Sequence, residues 1–142
     1  MSTVREILRT KGNTVWSVSL EDTIYDTLKF MAEKNVGAVL VLDGNTIAGI
    51  FSERDFARNA VKSILWPKEI KVNAMMTSVV LFVSPSQTTE ECMSLMTDKH
   101  VRHLPVVEDD QLIGLISIGD VVHRIIEDDK FSISQLESYV TG

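Results

Sequence analysis

Gly49-Ile-Phe-Ser52-Glu-Arg-Asp55 returns as Gly114-Leu-Ile-Ser117-Ile-Gly-Asp120, residue i matching residue i+65. The match runs outward without a gap. Val41 lies over Val106, Val36 over Val101, Met31 over Met96 and Thr23 over Thr88, and Val15-Trp-Ser-Val18-Ser19 lies over Val80-Leu-Phe-Val83-Ser84. A period this long means two copies of one folding unit. Each copy has about 60 residues, a size at which burial is marginal, whereas 142 residues bury ~68–70% of the unfolded surface. The two copies are therefore expected to share a core, with no need of a metal or disulfide.

Each copy carries the same order of elements. A short lead-in comes first: Val4, Ile7 and Leu8 make one helical stripe ended by Gly12, and Val72, Met75 and Met76 repeat it. An extended segment follows at Val15–Val18 and Val80–Val83. The next helix, from about Asp22 to Lys34, places Ile24, Leu28 and Met31 on one face. Its counterpart opens with the capping box Thr88-x-x-Glu91, matched by the weaker Thr23-x-x-Asp26. Two strands come next, split by Asp43-Gly44-Asn45 in one copy and Glu108-Asp-Asp110 in the other; Asp-Gly between apolar runs marks a hairpin. Pro105 belongs at a strand start or on an edge, because it lacks a backbone donor. A closing helix starts near Ser52 or Ser117. Phe56, Ala60, Val61 and Ile64 supply the apolar face of the first, Val121, Val122, Ile125 and Ile126 that of the second, and Pro67 ends the first. Trp66 is expected to cover the core. The unit is thus β-α-β-β-α, present twice. Order along the chain gives 1–66 to the first copy with its lead-in helix and 67–128 to the second. It leaves 129–142 as a tail in which Ile133, Leu136 and Val140 predict a further short amphipathic helix.

The formal net charge of −6 opposes a phosphate backbone at long range, so nucleic acid is not an expected partner. Cys92 is the only cysteine, which excludes an intrachain disulfide and fits a reducing compartment. Its acidic neighbours give no reason for a reactive thiolate. Ser2 to Gly12 carries charges where a secretory leader needs an apolar stretch, and no apolar run approaches ~20 residues. The expected location is cytoplasmic, away from membranes. His100-x-x-His103 lacks further ligands of metal-site spacing, so no metal is expected. The chain shows no Ser-His-Asp or Cys-His set and no Walker-type loop, so no catalytic residue is assigned and the chain reads as a non-enzyme.

Two β-α-β-β-α units that each end in Gly-apolar-apolar-Ser-x-x-Asp resemble a pair of CBS domains, the repeat named after cystathionine beta-synthase. The likeness spans roughly Val4 to Ile126. Lys11-Gly-x-Thr14-Val15, Val101-Arg-His-Leu-Pro105-Val and Ser117-Ile-Gly-Asp120 are similar to small stand-alone bacterial members. The resemblance implies an α/β (α+β) fold in which two CBS repeats pack about a pseudo-two-fold axis as one Bateman-type module. It further implies a regulatory ligand, AMP, ADP, ATP or NAD, held in the cleft between repeats.

That resemblance assigns Asp55 and Asp120, with Ser52 and Ser117, to a ribose. A carboxylate at a strand-to-helix junction accepts two bonds from a cis-diol, and charged acceptors bond strongly; the helix N-terminus favours anions. Arg54, Arg58, Arg102 and His103 are assigned to phosphate. Thr14, Val15, Gly37, Ala38, Ile118 and Gly119 are assigned to the adenine, where small side chains and bare backbone allow close approach. Ser-x-x-Asp fits an N-terminal helix cap equally well. The copies differ, with Gly37-Ala38 in one where Arg102-His103 stands in the other. This suits one dinucleotide or two unequal mononucleotides. A homodimer acting on a protein target through a population shift is the expected working state. The competing expectations are a scaffold dimer with vestigial pockets, and S-adenosylmethionine as the ligand.

Overall fold

The computed structural model describes residues 1–62, 66–78 and 80–141, the last with 139 and 141 described by backbone alone. The first repeat runs β1 (Ser17–Ser19), α2 (Ile24–Lys34), β2 (Ala38–Asp43), β3 (Thr46–Ser52) and α3 (Glu53–Ala60), preceded by α1 (Val4–Lys11). The second runs α4 (Thr89–Lys99), β4 (His103–Glu108), β5 (Gln111–Ser117) and α5 (Ile118–Thr141), preceded by a single 3-10 turn at Val72–Ala74.

The repeat holds down to small features. β2 and β3 pair antiparallel with a register shift between Val41 and Leu42, and β4 and β5 do the same between Val106 and Val107. The helices α2 and α4 each end on a left-handed residue, Asn35 and His100, both at φ 55°. Thr23 and Thr88 cap them, accepting bonds of 3.1 Å from the amides of Asp26 and Glu91. The opening segments differ. β1 pairs parallel with β2, whereas its counterpart makes one parallel bridge among the described residues, Val83 to Val106. Pro105 sits third in β4, on the edge that faces Val83; its twin Leu40 donates to the Trp16 carbonyl at 3.1 Å, a bond that Pro105 cannot make.

The chain divides into two compact units that regroup the lead-ins. One unit is Val15–Val80; the other combines Met1–Thr14 with Leu81–Gly142. In the first, Val72 and Met75 join Ile24, Met31, Val39, Val41 and Phe51 in one buried core. In the second, Val4, Ile7 and Leu8 of α1 join Cys92, Met96, Leu104, Val106 and Ile116. The helix that precedes the first repeat in the chain therefore completes the core of the second. Gly114 makes this possible: a Cβ there would lie 2.7 Å from Leu8 Cδ2.

Three expectations change. Residues 129–142 form no separate helix, because α5 continues unbroken to Thr141; no glycine or proline lies between Gly119 and Gly142 to stop it. The helix α3 ends at Ala60, short of Pro67, which leaves Val61 exposed as its C-cap and without an apolar role. Trp66 is 73% exposed and covers no core. Ile64 lies outside the described residues.

Candidate functional site

Both motif aspartates sit where a strand passes into a helix, and both turn one oxygen onto their own backbone. Asp55 Oδ2 accepts from the Ser52 amide at 2.9 Å and the Ser52 hydroxyl at 3.0 Å, and Ser52 Oγ accepts from the Asp55 amide at 3.2 Å. Asp120 Oδ2 accepts from the Ser117 amide at 2.8 Å, and Ser117 Oγ from the Asp120 amide at 3.1 Å. These are reciprocal capping boxes that satisfy amides otherwise orphaned at a helix start. The capping role is present in both copies, and any ligand must share these carboxylates with it.

The remaining contacts come from the lead-in segments. Asp55 Oδ1 accepts from the Thr77 hydroxyl at 3.2 Å. Asp120 Oδ2 receives the Lys11 ammonium at 2.6 Å, and the same ammonium donates to the Leu115 carbonyl at 2.7 Å. Burial pushes the Asp120 carboxyl up, but hydrogen bonds from Lys11 and Ser117 and the Lys11 charge outweigh it, holding the group below the usual aspartate range. Asp120 Oδ1 accepts no bond among the described residues.

Asp120 also lies on the wall of a cavity of about 670 Å³ between α1 and α5, with Ile7, Lys11, His123, Arg124 and Phe131 among its lining. That volume falls within the ~300–1,000 Å³ of small-molecule sites. Arg124 is anchored, donating from Nε to Ser2 Oγ at 2.8 Å and pairing with Glu6 at 3.4 Å and Asp128 at 3.4 Å.

The other residues singled out in the sequence fall into two groups. In the Val15–Val80 unit, the Gly37 carbonyl accepts from the Glu53 amide at 3.0 Å, bringing Gly37 and Ala38 beside the Ser52–Asp55 cap. Arg54 and Arg58 are exposed on α3. In the other unit, the Arg102 carbonyl accepts from the Ile118 amide at 2.8 Å, and His103 pairs in register with Ser117. Arg102, His103, Ile118 and Gly119 thus surround the Ser117–Asp120 cap. Thr14 and Val15 fall on either side of the boundary between units.

Lys11 and His123 were not among the residues read as a site. For Lys11 a signal existed. It lies one turn beyond Ile7 on the buried stripe of α1, where its counterpart in the second copy is Met76. A lysine replacing an apolar residue on a core-facing stripe marks a charge with a partner. Cys92 is fully buried; that burial and the Glu91 carboxylate push its thiol up to about 11, which keeps it protonated and unreactive. Among the described residues no group of three His, Cys, Asp or Glu side chains is placed to hold a metal. No described helix is long and apolar enough to cross a membrane.

Two α+β repeats, each closing on a Ser-x-x-Asp cap, define a duplicated module. The CBS domain profile matches residues 4–62 and 69–127, and the chain belongs to the CBS domain family. It is 33% identical over 151 residues to CBSX3, a mitochondrial CBS domain-containing protein of Arabidopsis thaliana; the match covers 99% of this chain and 73% of that one. Among solved structures, a CBS-domain protein from Burkholderia ambifaria is 49% identical with TM-score 0.84, covering 89% of this chain and 96% of its own. The CBS domain protein NE2398 is 40% identical with TM-score 0.83, covering 89% and 99%. Proteins of this family are generally regulatory modules for adenosine-containing ligands.

Proposed function

We propose that this chain is a non-enzymatic regulatory module that binds AMP, ADP, ATP or NAD and signals by a shift between conformations. The observation that supports it best is Asp120: a capped carboxylate with one oxygen that accepts no bond among the described residues, on the wall of a cavity of nucleotide size, with cations beside it. The carboxylate grips the ribose diol, with Ser117 holding it in place. Arg102 and His103 take phosphate, and Ile118 and Gly119 border the base. Asp55 with Ser52, Arg54, Arg58, Gly37 and Ala38 forms the equivalent site of the other repeat, and Thr14 and Val15 contact a base. Ligand against α5 biases the packing of α1, a surface that a protein target reads.

Calorimetric titration with AMP, ATP and NAD tests the reading. Heat of binding with one of them, lost in Asp120→Ala, is the expected result. The absence of heat with all three, in wild type and variant alike, refutes it.

A homodimer is the proposed working state. Val122, Ile126, Ile133, Leu136 and Val140 are all exposed on α5 at alternating spacings of three and four across the span. Only Asp129 interrupts the stripe, which is the pattern of a helix seam. Sedimentation equilibrium tests it: Ile133→Glu with Leu136→Glu shifts the mass toward monomer. If that variant is the dimer and binds no nucleotide, the scaffold reading gains.

A further inference from the structure

Lys11 is the charged contact on Asp120 that its twin Asp55 does not share. At the matching step of the other repeat the chain has Met76, and the Asp55 carboxylate meets the neutral Thr77 hydroxyl. At Asp120 the contact is an ammonium at 2.6 Å, pinned on its other side by the Leu115 carbonyl at 2.7 Å. The pair is only partly shielded, with side-chain exposures of 37% for Lys11 and 25% for Asp120. Lys11 ends α1 and lies next to Gly12, whose φ of 97° ends the helix.

A ribose diol needs both oxygens of a carboxylate. One oxygen of Asp120 accepts no bond among the described residues, while the other is held by the Ser117 amide and by Lys11. The amide bond is part of the helix cap and stays. The Lys11 bond is made by a four-carbon arm that reorients without moving the backbone. A diol that binds Asp120 therefore displaces an ammonium, and a displaced ammonium on the wall of a cavity gains from a new anion. A neutral nucleoside offers none. A nucleoside 5′-phosphate carries one a single ribose ring away from the diol, on the same ligand.

Resting on the ribose reading of Asp120, we infer that Lys11 makes this site selective for phosphorylated nucleosides. In the empty site it occupies the diol position, and in the filled site it pairs with the phosphate. Arg124 cannot take this part, since Ser2, Glu6 and Asp128 hold it. His123 lines the same cavity and, with Arg102 and His103, adds a donor toward the anion.

The test is titration of AMP and of adenosine into the full chain, as wild type, Lys11→Met and Lys11→Arg. Lys11→Met gives Lys11 the side chain found at the matching step of the other repeat. The wild type is expected to favour AMP. In Lys11→Met adenosine tightens, AMP weakens, and the ratio of their affinities falls by about tenfold or more, the scale of one charge-assisted contact. Lys11→Arg keeps the preference. An unchanged ratio in Lys11→Met, with both ligands still binding, overturns the role of Lys11 and leaves the ribose site standing. Absence of binding by either ligand to the wild type removes the ribose site and this inference together.

Discussion

Asp55 and Asp120 share a motif, a repeat position and a cap, yet they have different neighbours. Asp55 is met by a hydroxyl of Thr77 and Asp120 by the ammonium of Lys11. In each case the deciding side chain comes from the short lead-in segment and not from the motif. The lead-ins have diverged, one an eight-residue helix and the other a single 3-10 turn. Duplication copied the carboxylate; divergence of the lead-in set what stands beside it.

The largest expected effect is on ligand affinity. Asp120→Asn should weaken AMP binding by about 10–100-fold, the equivalent of ~1.5–3 kcal/mol for a hydrogen bond to a charged group. Asp55→Asn should weaken it less, because Thr77 already occupies the outer oxygen. Calorimetry ranks the two, and an Asp55 effect equal to or larger than that of Asp120 breaks the comparison.

The paired glycines separate the lead-ins by stability. A Cβ at Gly49 would lie 2.5 Å from the Thr77 backbone carbonyl, whereas at Gly114 it meets the movable end of Leu8 at 2.7 Å. Gly49→Ala should cost about 2–3 kcal/mol and Gly114→Ala about 1 kcal/mol in urea denaturation, within the range for overpacked cores. Equal costs would mean that both lead-ins yield alike.

Thr27 and Cys92 are also counterparts, both with no exposed surface. The Thr27 hydroxyl has no partner among the described residues. Cys92→Thr should therefore destabilise by about 1–2 kcal/mol, and Thr27→Cys should stabilise by up to about 1 kcal/mol. A stabilising Cys92→Thr would show that the second core offers the hydroxyl a partner that the first lacks.

The smallest effect is in acid. The folded-state pKa of Asp120 is lowered, so its share of stability is fully present above the ordinary aspartate value. That share is lost as pH falls through the folded value. Melting curves against pH should therefore be flatter on the acid side in Asp120→Asn than in wild type. Carboxyl NMR of Lys11→Met should show the Asp120 titration moving up, and no movement would mean that Lys11 is not what lowers it.

Much of this was legible in the sequence. The repeat, the threonine and serine caps and the Asp43-Gly44 hairpin rest on local periodicity and turn chemistry, which act within a few residues. Family membership followed from the two closing motifs. The regrouping of lead-ins was not legible, because the stripe of Val4, Ile7 and Leu8 says that a core is needed but not which one. The end of α5 was misread for a related reason. The stripe of Ile133, Leu136 and Val140 predicts a helix but does not say that it continues the one before it, and no glycine or proline separates the two. Lys11 sat in plain view within a quoted motif, but its meaning depended on an aspartate more than a hundred positions away.

The unbroken length of α5 has a mechanical corollary. Its 24 residues at 1.5 Å each make a rod of about 36 Å. The Asp120 cap sits at one end of it and Val140 near the other. A pivot of about 10° at the capped end carries the far tip roughly 6 Å by the same geometry.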